Sequence, residues 1–266
     1  MRKTTKNNVP VIQSPILGGI SHGFFTRQGG ISTGILSALN CTFREDDPRE
    51  NVLKNRSLAM ETLSLADYPL MTLKQVHGKD VRVVDQPWDP SQLFEADALV
   101  TMNPSVVLGI QTADCVPILL ADVKNHVIGA VHAGWRGALK GVVEETINVM
   151  ISLGAKKENL LAAIGPAIAQ ETYEVGPEVY QMFVEKNATN AQFFLQQEFP
   201  ESLYLNLPGF VESILVDRCH QVERLPYDTY DNPDLFFSCR RSYHEKSPSF
   251  GGHISLISLS GASHGS

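Results

Sequence analysis

Three side chains in this 266-residue chain combine reactive chemistry with a turn or a strand end. They are His77 in "KQVHG", Cys115 in "TADC" and His132 in "VHAGWRG", 38 and then 17 residues apart. No two of them form a close CxxC or HxxxH pair, so spacing alone does not define a metal site. If the three converge, one thiolate and two imidazoles suit a tetrahedral Zn²⁺ with its fourth position open. Such zinc brings the pKa of bound water to about 7. The same atoms would also serve a Cys–His hydrolase, with Cys115 as nucleophile and a histidine as its base. A third use is bland, since a cysteine before an apolar run is often a small buried hydrophobe.

The neighbours separate these histidines from the rest. Gly78 follows His77 directly and Gly134 lies two residues after His132, where a backbone must approach closely. His22, His126, His220, His244, His253 and His264 read as satisfied or surface histidines. In "AGWRG", Gly134 and Gly137 allow a sharp turn into a helix. Arg136 adds a planar cation near that helix's N–H groups, an arrangement suited to phosphate. Asp114, beside Cys115, is a turn cap or a proton shuttle, and in a strand it would point away from Cys115. Arg56, Asn40 and Gln75, with Arg27 and Lys74, are candidate phosphate or ribose contacts. Surface charge or turn capping is an equal reading for each.

The elements that must hold these residues follow from patterning. "GFFTRQGGIS" reads as a strand and a Gly-Gly turn. "DDPRENVLKNRSLAMETLSL" reads as a helix with Asp47 at its N-cap and Pro48 at N1. "LMTLKQVHG" and "VRVVDQ" read as strands around Gly78. Two apolar runs flank Asn103-Pro104, and "VPILLAD" and "HVIGAVHAG" are buried strands. "ALKGVVEETINVMISLG" predicts one helix over 138–153, with Leu139, Val142, Val143, Ile147, Met150 and Leu153 on one face. "NLLAAIGPAI" is a short strand, "PEVYQMFVEK" and "NLPGFVESILVDRCHQV" are helices, and "GGHISLISL" is a closing strand. Continuously apolar strands need cover on both faces, which predicts a mixed α/β single domain over 1–266. Residues 1–15 and 260–266 are expected to be flexible.

Composition excludes several classes. Net charge is −7, without the basic footprint of a nucleic-acid binder. The first residues do not read as a signal peptide and no apolar run is long enough to span a bilayer, so no membrane partner is expected. Four cysteines, Cys41, Cys115, Cys219 and Cys239, do not make a disulfide scaffold and fit a reduced, cytoplasmic setting.

"KQVHG", "ADALVT", "TADCVPILLAD", "IGAVHAGWRG", "IGPAI" and "YEVG", in that order, closely resemble the laccase-domain family. That family is also labelled multicopper polyphenol oxidase or peptidoglycan editing factor. "FFTRQGGIS", "LN", "DDPRENVLKNR" and "SCRRS" extend the resemblance over roughly residues 20 to 260. It implies an α/β/β/α four-layer sandwich and one zinc held by His77, Cys115 and His132, which would also be the catalytic residues. It further implies purine nucleosides and phosphate as partners, with phosphorolysis of adenosine, inosine, guanosine and methylthioadenosine and deamination of adenosine. A monomer or weak oligomer is expected. The alternative is a metal-free Cys–His hydrolase or amidase in cell-wall metabolism; a non-catalytic binding protein there is a third reading. The oxidase label fits poorly. A multicopper site needs clustered imidazoles, and this chain has eight histidines and no His-x-His pair, so copper is disfavoured. Two departures from the family are Ala167, where a cysteine is common, and "GGHISL", where His253 stands for part of a Gly-Arg pair.

Overall fold

The computed structural model describes all residues except 1–3, 7–8, 90–91, 93, 198–201 and 261–266. Two six-stranded sheets stack face to face. The first runs in the order β1 (Thr4–Lys6), β2 (Val9–Ile12), β3 (Ser21–Phe25), β15 (His253–Ser258), β7 (Val107–Thr112) and β4 (Leu70–Met71). The second runs β14 (Gln221–Arg224), β10 (Leu161–Ile164), β8 (Val116–Asp122), β9 (Val127–Ala133), β6 (Ala98–Thr101) and β5 (Val81–Val83). Both are mixed: β8 and β9 pair antiparallel, whereas β5–β6, β10–β14 and β4–β7 are parallel.

Alternation along each strand builds the layers. Leu119 and Ala121 of β8 meet Leu108 and Ile110 of β7 in a core between the sheets. Ile118 and Leu120 point the other way, onto α3 (Val142–Ser152) and α5 (Leu207–Val216). On the outer face of the first sheet, Val107, Ile254 and Leu256 pack against Ala59 and Met60 of α1 (Arg49–Thr62). The result is the expected α/β/β/α sandwich. Buried on both sides, β8 and β9 are rigid supports for whatever stands at their ends.

Some elements depart from the sequence reading. The single helix over 138–153 is two helices, α2 (Trp135–Lys140) and α3, because Gly141 takes a left-handed conformation at φ 99°. The apolar face survives the break, with Val142, Val143, Ile147 and Met150 buried. "LMTLKQVHG" keeps only two residues of strand and one bridge at Lys74. Asp47 does not cap α1. Its carboxylate is taken by Ser32, Asn40 and Asn51 side chains, and the helix begins after Pro48. Within the segment expected to be flexible, Val9–Ile12 forms a largely buried strand of the first sheet. The rest of the tail, 261–266 with His264, lies outside the described residues. "NLPGFVESILVDRCHQV" divides into α5 and β14. A third, three-stranded sheet of β11 (Glu174–Val175), β13 (Ser202–Leu205) and β12 (Phe194–Gln197) was not anticipated. Two further helices, α4 (Pro177–Lys186) and α6 (Cys239–His244), flank the site described next. No helix among the described residues is long and apolar enough to cross a membrane.

Candidate metal centre

His132 is the penultimate residue of the buried strand β9, Cys115 precedes β8, and His77 sits in the loop before β5. Their ligand atoms all lie within 4.8 Å of one another. The two imidazoles meet edge to face, with centroids 4.7 Å apart. His132 is 3% exposed, so its ring has no solvent to turn into.

A single carboxylate organises both histidines. Asp97, fully buried just before β6, accepts from His132 Nδ1 at 2.7 Å. It also accepts from the backbone N–H groups of Val76, His77 and Gly78, at 3.2, 3.0 and 2.6 Å. Those bonds hold the 76–78 turn, in which His77 adopts a left-handed φ of 56°. His77 is therefore not a strand-end residue but the apex of a turn wrapped on a buried anion. Asp97 fixes the His132 tautomer and leaves Nε2 for another partner, the usual arrangement behind a metal-ligating histidine. Burial works against ionising Asp97, but the bonds from His132 and the backbone outweigh it and lower its pKa. Burial likewise opposes charge on His132, yet Cys115 and Asp97 together push it up to about 9. His77 moves the other way, lowered first by burial and then by His132.

The glycines of "HAGWRG" answer to this turn. A Cβ on Gly134 would collide with His77 Nδ1 and stand 3.2 Å from Cys115 Sγ. One on Gly137 would stand 2.7 Å from the Gly78 carbonyl. The loop thus lacks side chains where the ligands must crowd. Two imidazoles, a thiol and a cradle kept free of Cβ atoms fit a small tetrahedral ion with three protein ligands.

Asp114 has φ 87° and turns the chain between β7 and Cys115. Its buried carboxylate accepts from Thr229 Oγ1, Ser238 Oγ and the Arg240 N–H, at 2.7, 3.0 and 2.7 Å. It ties the start of α6 to the cysteine loop, with its bonding capacity largely committed.

Two cavities share a wall made by His77, Ala113, Cys115 and Cys239. The larger, about 730 Å³, is lined by Trp135, Arg136, Tyr173, Arg240 and Tyr243 among others. The smaller, about 330 Å³, is lined by Arg44, Gln75, Gln111, Thr42 and His132. Arg136 lies over the Trp135 ring at 4.4 Å on the cleft wall. The helix behind it, α2, has only six residues, too short for the helix-terminus anion site the sequence suggested.

The remaining candidates fall elsewhere. Gln75 reaches the smaller cavity but spends its amide on the backbone of Gln111, accepting at 2.8 Å and donating at 2.7 Å. Asn40 is fully buried and bridges Thr42, Asp47 and Gly252. Arg56 is buried against Phe43 and bonds the Cys41 carbonyl, and neither Asn40 nor Arg56 lines these cavities. Arg27 serves the carbonyls of Ile35, Ser37 and Pro233, and Lys74 pairs with Glu95. His253 is buried with both ring nitrogens bonded to backbone, so it takes no arginine's place in the cleft. Asp97, Arg44, Gln111 and Tyr173 were missed as site residues, although "ADALVT" and "YEVG" contain two of them.

Comparison with known proteins places this geometry. The family described as multi-copper polyphenol oxidoreductase laccase matches residues 21–260. A Deinococcus radiodurans protein named purine nucleoside phosphorylase is 40% identical over 211 residues, 79% of each chain. A Shigella flexneri protein named purine nucleoside phosphorylase YfiH is 33% identical, covering 87% of this chain and 92% of its own. Among solved structures, a Neisseria meningitidis protein superposes with a TM-score of 0.83 at 29% identity, covering 95% and 99% of the two chains. A Bacillus licheniformis hypothetical protein YfiH gives 0.85 at 25% identity, covering 96% and 97%. The chain belongs to the multi-copper polyphenol oxidoreductase laccase family.

Proposed function

We propose that this chain is a zinc-dependent purine nucleoside phosphorylase that cleaves adenosine, inosine, guanosine and methylthioadenosine and also deaminates adenosine. The observation that carries the reading is the His77–Cys115–His132 cluster, oriented by Asp97, whose His77 and Cys115 stand on the wall of a cleft sized for a nucleoside. The names of the relatives supply the purine nucleoside and phosphate. Zinc is favoured over a multicopper centre, which needs clustered imidazoles where this cluster offers two. When bound, zinc supplies positive charge and Lewis acidity at the shared wall.

The side chains supply positioning. Trp135 and Tyr173 supply aromatic surface for the purine, with Arg136 and Arg240 stacked on them as cations among the Glu174 and Glu178 carboxylates of the cleft. In phosphorolysis an oxygen of hydrogen phosphate bonds C1′ as the C1′–N9 bond breaks. The electron pair leaves on the purine, which takes the proton from hydrogen phosphate. Ribose 1-phosphate and free base result. Holding both reactants in line and balancing the charge on the sugar provides most of the acceleration.

The hydrolase reading has one observation in its favour. Cys115, His132 and Asp97 form a hydrogen-bonded chain like a nucleophile, base and orienting acid. Such a triad has no use for His77, whereas the crowding of His77 onto Cys115 is what three-ligand coordination needs. Incubation with adenosine, with and without phosphate, tests both readings. Adenine that forms only with phosphate marks phosphorolysis, and inosine formed without phosphate marks deamination. No product under either condition overturns the proposal, and a metal-free protein with rapidly alkylated Cys115 favours the triad.

A further inference from the structure

The two cavities beside the cluster differ in kind. The larger is the more apolar, with aromatic walls. The smaller is lined by Thr42, Arg44, Gln75, Gln111, Thr112 and Phe250, and His132 lines it and not the larger one. Arg44 gives its Nε–H to the Phe250 carbonyl at 3.0 Å and lies 4.4 Å over that ring. This fixes the guanidinium plane while the terminal amino groups make no hydrogen bond among the described residues. Gln111 is also on the chamber's lining, and its Nε2 is buried without a hydrogen-bond partner. A buried donor left unpaired is costly, and native structures keep such groups where a ligand or water completes them. Gln75 bonds both the N–H and the carbonyl of Gln111, which fixes the backbone from which that side chain extends. Gly252 completes the wall, since a Cβ there would collide with Thr42 Oγ1.

We propose that this smaller chamber is the phosphate subsite, with Arg44 and Gln111 as its donors and Gln75 as the positioning residue for Gln111. The inference rests on the phosphorylase reading and deepens it. The nucleoside occupies the larger cleft, and the two reactants face each other across the wall that carries His77 and Cys115. Arg44 is a planar fork suited to two phosphate oxygens at once. Arg136, the cation the sequence singled out, then serves the nucleoside side.

Zinc-loaded wild type, Arg44→Gln, Arg44→Lys, Gln111→Glu and Arg136→Gln separate the possibilities. Binding of inorganic phosphate is followed by ³¹P NMR line broadening, and KM is measured separately for phosphate and for inosine. Arg44→Gln and Gln111→Glu should each raise the phosphate KM by about tenfold or more, the usual cost of losing a charge-assisted bond. Their inosine KM should stay within about twofold on the same scale. Gln111→Glu changes charge rather than shape, so its effect does not depend on refolding around Arg44. Arg44→Lys should recover part of the loss. An unchanged phosphate KM in both Arg44→Gln and Gln111→Glu overturns the inference, as does a loss seen only in Arg136→Gln. If wild type itself binds phosphate but forms no ribose 1-phosphate, the phosphorylase reading fails while the subsite stands.

Discussion

His132 and His253 are the same residue type in nearly the same burial, one at the end of β9 and one at the start of β15, with opposite chemistry. His132 gives Nδ1 to the Asp97 carboxylate and keeps Nε2 for the cluster, and its pKa is pushed up to about 9. His253 bonds the Thr112 carbonyl through Nδ1, accepts the Phe237 N–H on Nε2 and is pushed down to about 3, chiefly by burial. A buried imidazole becomes a ligand when a carboxylate orients it and one nitrogen is left open. It becomes structural when backbone takes both nitrogens.

The difference is breakable at four places. His132→Ala should do the most, lowering zinc affinity by more than about 100-fold, since it deletes a ligand rather than a ligand's partner. Equilibrium dialysis with metal analysis checks it. Asp97→Asn should cost about 10–100-fold in zinc affinity or activity, because it weakens the His132 bond and the turn under His77 together. Gly134→Ala should cost about tenfold by displacing His77. His253→Leu should leave zinc binding within about twofold while lowering stability by about 2–4 kcal/mol through two orphaned backbone groups, read as a urea midpoint.

His253 also carries a pH signature. The unfolded chain takes a proton there below its ordinary value of 6.5, whereas the folded chain resists until about 3. Its contribution is thus complete above pH 6.5 and is lost as pH falls through that window, at up to about 1.4 kcal/mol per pH unit. Wild type minus His253→Leu should show that slope, and equal slopes would refute the neutral buried assignment.

A mixed α/β domain was legible because β8 and β9 are largely apolar runs that need cover on both faces, and the family resemblance implied the four layers. Cys115 and His132 were legible as reactive groups at strand ends and His77 by the glycine that follows it, and the family resemblance grouped them. Asp97 was not, because it works through backbone N–H groups twenty residues away that leave no trace in side-chain identity. The turn at His77 was hidden because a left-handed φ in a non-glycine residue has no compositional mark. The break at Gly141 was hidden by an apolar pattern that continues through it. Arg44 and Gln111 belong to no motif, and only the tertiary closure of the chamber brings them together.

Formation of ribose 1-phosphate from inosine and phosphate, followed in zinc-loaded, chelated and zinc-restored protein and in Cys115→Ser, bears most directly on the proposed chemistry. The expected result is base and ribose 1-phosphate in equal amounts, lost on chelation, restored by zinc and absent in Cys115→Ser. Free ribose in place of ribose 1-phosphate, or turnover indifferent to chelation, would contradict a zinc phosphorylase at His77, Cys115 and His132.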